Sequence, residues 1–174
     1  MNWHQEQPVM LYVRELIGKA APEIGISYGK IYNRPNHPSK GVGGFAARHT
    51  AKGGFSRHSE GRACDIYVNT SDLYLRLLGD ALFKRFAANP RVLGIEDLLW
   101  DTSAWSHMNP HVHRNPDIDA IFDHQNHLHV GFSRATSQTK HPLIERIITE
   151  SVEEAKCGMP LYEHAERGIR SGNE

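Results

Sequence analysis

No stretch of this 174-residue chain approaches the ~20 apolar residues of a membrane span. Its amino terminus, Met1-Asn2-Trp3-His4-Gln5-Glu6-Gln7, has no basic segment, and the Val9 to Val13 run that follows is too short for a signal-peptide core. Neither sign of charge is in excess. Twenty basic and 20 acidic residues cancel, so nothing in the charge argues for nucleic acid or an anionic membrane as a partner. Two cysteines cannot make a disulfide framework; Cys64 is expected in the core, Cys157 in a helical tail, and both reduced. No repeat, low-complexity tract or linker divides the chain. With 39% hydrophobic residues, its length predicts one domain over 1–174 around one core, expected to be a monomer.

Histidine, by contrast, is abundant. Six of the twelve fall between His107 and His129, and clustered His with Asp is the compositional mark of a metal site. Ser56-Arg57-His58-Ser59-Glu60-Gly61-Arg62-Ala63-Cys64-Asp65 and the later His127-Leu128-His129 carry the most information. A catalytic zinc ion typically takes three protein ligands and leaves a fourth position for water; His58, Asp65 and His129 would meet that requirement, which predicts a zinc hydrolase.

The local pattern supports this. Cys64 to Val68 reads as a strand with Cys64, Ile66 and Val68 on one face and Asp65 and Tyr67 on the other. In His127 to Phe132 the same alternation places both histidines opposite Leu128, Val130 and Phe132. Two imidazoles about 7 Å apart on one strand face can meet one ion, or one can bind it while the other works on its water. Gly61 lies where a tight turn must bring His58 and Asp65 together. A His followed by an Asp seven positions later is expected by chance roughly 0.6 times in this composition, so the flanking residues carry the weight. A second pair, His111-Val112-His113, lies between Asn109-Pro110 and Arg114-Asn115-Pro116, which predicts a loop; the later pair, in an apolar strand pattern, is therefore preferred.

The order of elements predicts an α+β fold. Gln7 to Ala20 is apolar at helical spacing, with Val9, Val13, Leu16 and Ile17 on one face, and Ala21-Pro22 ends it. Ile24 to Tyr32 reads as a strand and 33–54 as a long irregular loop. Thr70-Ser71-Asp72 caps a helix to about Ala88 with Leu73, Leu77, Leu78, Ala81 and Leu82 inward. Val92 to Trp100 reads as a strand, 101–124 as a polar loop, Ser137 to Cys157 as a closing helix within a C-terminal extension of about 137–174, and Gly158 to Glu174 as loosely ordered. The two long loops supply cleft walls, where Trp100, Trp105 and Tyr67 are candidates to pack a sugar or peptide.

Ser56, His58, Gly61, Ala63 and Asp65, followed by a His-x-His strand, resemble the LAS group of zinc peptidases: lysostaphin-type enzymes, D-Ala-D-Ala carboxypeptidases and dipeptidases, and the Sonic hedgehog amino-terminal domain. The resemblance covers roughly Ile24 to Phe132. It implies a hedgehog/D,D-peptidase-like fold, a central antiparallel sheet flanked by helices with a zinc cleft. It also implies that His58, Asp65 and His129 hold zinc and that the substrate is a peptidoglycan peptide. His124-x-x-His127-x-His129 is similar to the histidine triplet of penicillin-insensitive murein endopeptidases. Glu60-Gly61-Arg62-Ala63 with Asp65-Ile66 is similar to the hedgehog version, and Tyr32-Asn33-Arg34-Pro35 to the strand-end arginine of extensin-like and carboxypeptidase relatives.

Carboxypeptidase-type members carry a glutamate three residues before the last zinc histidine, where this chain has Asn126. Three residues then compete as general base: His127, whose imidazole titrates near neutrality; Asp123, where hedgehog-like domains place an acid; and His124. Arg34 or Arg48 would stabilise an oxyanion or hold a substrate carboxylate. A zinc-binding module that recognises a partner protein is the alternative to a peptidase. If the substrate is cell wall, the chain is expected to be made in the cytoplasm and to reach the wall by release or delivery, as a phage lysin or a secreted effector does.

Overall fold

The computed structural model describes residues 6–24, 42–43, 57–114 and 125–170, with backbone alone at residues 23, 42–43 and 159–170. It is a mixed α/β structure built on one six-stranded sheet: β1 (Val42–Gly43), β2 (Ala63–Tyr67), β3 (Ile95–Trp100), β4 (Ser103–Ser106), β5 (Asn109–Arg114) and β6 (His127–Phe132), ordered β1-β2-β6-β3-β4-β5. All five pairings are antiparallel. The helices are α1 (Pro8–Ala20), α2 (Leu73–Ala88), the single turn α3 (Pro90–Leu93) and α4 (Pro142–Arg170), with 3₁₀ turns at Pro22–Ile24 and Thr136–Gln138.

Strand alternation divides the sheet into two unlike faces. Cys64, Ile66, Val68, Leu98, Trp105, Leu128, Val130 and Phe132 join one buried apolar cluster with side chains of α1, α2 and α4. Removal of this apolar surface from water is the main drive for folding. Val9, Val13, Leu16 and Ile17 are buried on α1 as expected, with Met10 beside them. Asp72 caps α2, its carboxylate accepting the Leu75 N–H at 2.9 Å. On α2, Leu73 and Leu77 are only half-buried, and Phe83 and Phe86 join Leu78, Ala81 and Leu82 inside.

Several expected boundaries are corrected. Ile24 ends a 3₁₀ turn rather than starting a strand, and residues 25–32 lie outside the described residues. The two-residue β1 falls within the expected 33–54 loop. Asn89-Pro90 starts a helical turn, which Gly94 closes in the left-handed region, so β3 begins at Ile95 rather than Val92. The expected loop from 101 holds a β-hairpin: a two-residue turn with Asp101 at positive φ joins β3 to β4, and β5 carries His111-Val112-His113 on the sheet edge. An edge strand needs no apolar alternation and tolerates Pro110, which is why the sequence reads as loop. Ser137 sits in the 3₁₀ turn, α4 starts at Pro142, and it runs on through Gly158 to Arg170. Gly158 abuts α2 there: a Cβ would lie 3.2 Å from Leu77 Cδ1. Trp100 and Trp105 are core residues rather than cleft walls, and the Trp100 indole N–H donates to Asp80 at 2.8 Å. Tyr67, half-buried, pairs with His127 across β2 and β6. Both cysteines are free, Cys64 buried and Cys157 exposed; burial and the neighbouring Asp65 push the Cys64 thiol up.

Candidate metal centre

The other face of the sheet carries charge. Asp65 on β2 lies directly across from His129 on β6, and His129 in turn from Leu99 on β3; cross-strand partners point to the same side of a sheet. His127, two residues before His129, shares that face, and all three polar residues are buried. His58 arrives from the turn that leads into β2. Gly61 closes that turn at φ +66°, in the left-handed region that favours glycine, with its N–H donating to the His58 carbonyl at 3.0 Å and Arg62 N–H to Arg57 O at 3.0 Å. The segment before α1 braces the same turn: Gln7 donates its backbone N–H to Gly61 O at 2.9 Å and its side-chain amide to Glu60 O at 3.2 Å.

The result is a three-way meeting of ligand atoms. His58 Nε2 lies 3.1 Å from His129 Nδ1 and 3.3 Å from Asp65 Oδ1, and His129 Nδ1 lies 2.9 Å from Asp65 Oδ1. Ligands about 2.0–2.1 Å from a tetrahedral ion stand about 3.3–3.4 Å apart, so the triad can accept an ion after shifts of a few tenths of an ångström. Two imidazoles and a carboxylate suit a transition metal better than calcium or magnesium, which prefer all-oxygen sites. His58, Asp65 and His129 are thus a buried group that could hold a metal ion. His127 Nε2 is a fourth nitrogen nearby, 3.8 Å from Asp65 Oδ1, while its Nδ1 is 2.7 Å from Asn126 Oδ1.

Electrostatics favour a cation here. Burial opposes ionisation of Asp65, but His58, His127 and His129 outweigh it and hold the carboxyl well below the ordinary range. Burial also opposes charge on His129, yet the hydrogen bond to Asp65 and the nearby Asp97 push it up to about 10. In the metal-free protein the two carboxylates therefore favour a second proton on the His129 ring.

Asp97 is the residue that sequence reasoning missed, together with the ion-pair chain behind it. It lies across from Gly131 on β6, and its Oδ1 is 3.6 Å from His129 Nε2. Arg57, next to His58, donates from Nη1 to Asp97 Oδ2 at 2.7 Å and from Nε to Glu96 at 2.9 Å. The register irregularity between Ile95 and Asp97 lets two successive acids reach one arginine, where a regular strand would aim them to opposite faces. Arg62 links Glu96, at 2.6 Å, to Glu60, and Glu60 pairs in turn with Arg134. Two signals in the sequence mark the place: an acidic pair inside an apolar strand, where Asp is disfavoured, and Gly131 on the same strand face as His129, since a strand glycine flags a close approach.

Of the other candidates, Arg34, Arg48, Asp123 and His124 lie outside the described residues. The pair His111 and His113 stands apart from the cluster. His113 lies across from Ala104 on β4, three strands from β6, with Nδ1 2.8 Å from the His111 carbonyl.

Fold and site together define a protein with one antiparallel sheet, helices packed on its apolar face, and a buried His₂Asp group on the other. The chain belongs to the family described as VldE, C-terminal domain, whose match spans residues 18–128, well over half its length. That match includes His58, Asp65 and His127 and ends one residue before His129. No curated protein and no solved structure matches the chain. Among the described residues, no helix is long and apolar enough to cross a membrane.

Proposed function

We propose that this chain is a zinc-dependent peptidase with a hedgehog/D,D-peptidase-like fold, which hydrolyses a bond in a peptidoglycan stem or cross-link peptide. The observation that carries this reading is the convergence of His58 Nε2, Asp65 Oδ1 and His129 Nδ1 within 2.9–3.3 Å of one another. The motif resemblance supplies the substrate class.

Zinc at this position would polarise the scissile carbonyl and acidify water for attack. His127 serves as general base. Its Nδ1 donates to Asn126 Oδ1 at 2.7 Å, which makes Nε2, the nitrogen 3.8 Å from Asp65 Oδ1, the basic one that exchanges the proton. Asn126, in the position where carboxypeptidase relatives carry a glutamate, thereby orients the base. Asp123 or His124 assists, and Arg34 or Arg48 holds the oxyanion or a terminal carboxylate. Acting on cell wall, the protein would be delivered by phage lysis or by a secretion machine.

The missing glutamate also favours a second reading, a zinc-binding module that recognises a partner protein without turning it over. Purified muropeptides separate the two. The peptidase reading expects stem or cross-link cleavage that a chelator abolishes and added zinc restores; metal-loaded protein that leaves muropeptides intact contradicts it. Two imidazoles and one carboxylate also suit iron(II), so the metal that restores cleavage identifies the ion.

A further inference from the structure

Asp97 presents a group that the triad alone does not explain. Its Oδ2 is taken by Arg57 at 2.7 Å, while its Oδ1 is buried without a hydrogen-bond partner among the described residues. A buried acceptor with no donor is costly. His129 Nε2 lies 3.6 Å from it, about half an ångström beyond a hydrogen bond.

The gap has a chemical sense once both ends of the His129 ring are considered. Nδ1 is the atom that meets Asp65 and His58 and so the atom that would face an ion. An imidazole bound through Nδ1 carries its remaining proton on Nε2, which points at Asp97 Oδ1. Metal-bound histidines almost always give that second proton to a carboxylate, a carbonyl or water, and losing the acceptor typically costs about 10–100-fold in metal affinity. Gly131 makes room for the arrangement: a Cβ there would lie 1.8 Å from Asp97 Oδ1 and 2.7 Å from Arg57 Cδ.

We infer that Asp97, clamped by Arg57, is a positioning residue for the metal: it accepts the Nε2 proton of His129 and fixes the tautomer and ring plane of that ligand. The inference rests on the metal-site reading above and adds the group that aims its last ligand. Arg57 thereby couples the two halves of the site, since the residue beside His58 grips the carboxylate that orients His129.

The test compares wild type with Asp97→Asn and Gly131→Ala. In Asp97→Asn, Arg57 claims the amide oxygen and turns the NH₂ toward His129, so a donor replaces the acceptor. In Gly131→Ala the carboxylate remains but is displaced. Zinc affinity is read by competition with a chromophoric chelator, the tautomer by imidazole ¹⁵N NMR of the zinc-loaded protein, and the metal-free fold by circular dichroism and thermal unfolding.

Both variants are expected to fold and to bind zinc about 10–100-fold more weakly. Wild type is expected to show a slowly exchanging His129 Nε2–H that Asp97→Asn lacks. A variant that lowers the metal-free melting temperature but keeps wild-type affinity and the Nε2–H signal would overturn the inference and reduce Asp97 to a structural ion pair. Wild type that binds zinc but cuts no muropeptide would sink the peptidase reading while leaving this one standing. A wild type that binds no metal would remove both.

Discussion

Replacing Glu60 with glutamine removes one charge from the centre of the ion-pair chain that braces the His58 turn. The Glu60 and Arg62 side chains are only 8% and 11% exposed, so the pair is largely desolvated. Orphaning one member of such a pair typically costs about 3–5 kcal/mol. Here the loss is smaller, because Arg62 keeps Glu96 at 2.6 Å and the Phe132 carbonyl, and Arg134, the other partner, is 63% exposed. We expect about 2 kcal/mol at neutral pH, or about 4–8 °C in melting temperature for a chain of this size. Burial opposes ionisation of Glu60, but Arg134 and Arg62 hold its carboxyl below the ordinary range. A depressed carboxylate contributes stability that is present above its unfolded pKa and lost as pH falls through its folded one. The gap between wild type and variant should therefore close as pH falls below the usual glutamate range. Urea unfolding of the metal-free proteins at neutral and acid pH reads both effects. A variant as stable as wild type at neutral pH, or a gap that persists unchanged in acid, would refute the reasoning.

Three further outcomes are expected. His129→Ala should abolish metal binding while His113→Ala leaves it intact, since His113 stands on the edge strand three strands away; equilibrium dialysis with zinc checks this, and the reverse result would move the site to β5. His127→Ala should keep the metal and lose about 10²–10⁴ in turnover of muropeptides; loss of zinc would make His127 a ligand, and full activity would pass the base role to Asp123 or His124. His129, pushed up to about 10, stabilises the metal-free fold fully below its unfolded pKa of about 6.5 and loses that contribution as pH rises through about 10. Zinc must displace its proton, so affinity should rise about tenfold per pH unit across that window, and calorimetry in buffers of different ionisation enthalpy should record at least one proton released per ion at about pH 8; no release would contradict it.

What the sequence reveals here follows from which residues face the core. Leu128, Val130 and Phe132 alternate against His127 and His129, and Cys64 and Ile66 against Asp65, so β2, β6 and the face bearing the ligands are readable from period alone. α1 and α2 carry apolar stripes and, at Asp72, a cap. β5 buries nothing, since every one of its residues is exposed or half-buried, and the two buried residues of β4, Ala104 and Trp105, are neighbours rather than alternating, so the pairing of these strands is written in two short turns rather than in hydrophobicity. The end of α4 is obscured at Gly158, a residue type that commonly closes a helix, whereas the helix runs on through it to Arg170. Asp97 was hidden for another reason. Its partners are 32 and 40 residues away in sequence, at His129 and Arg57, and a strand irregularity aims it.

Metal content tests the central claim most directly. Protein reconstituted with zinc and dialysed free of excess should hold about one ion per chain by elemental analysis, and His129→Ala, still folded, should hold none, because a catalytic site with an open position usually sits on a scaffold that folds without it. Wild type that retains no zinc, or His129→Ala that retains as much as wild type, would contradict a centre built from His58, Asp65 and His129.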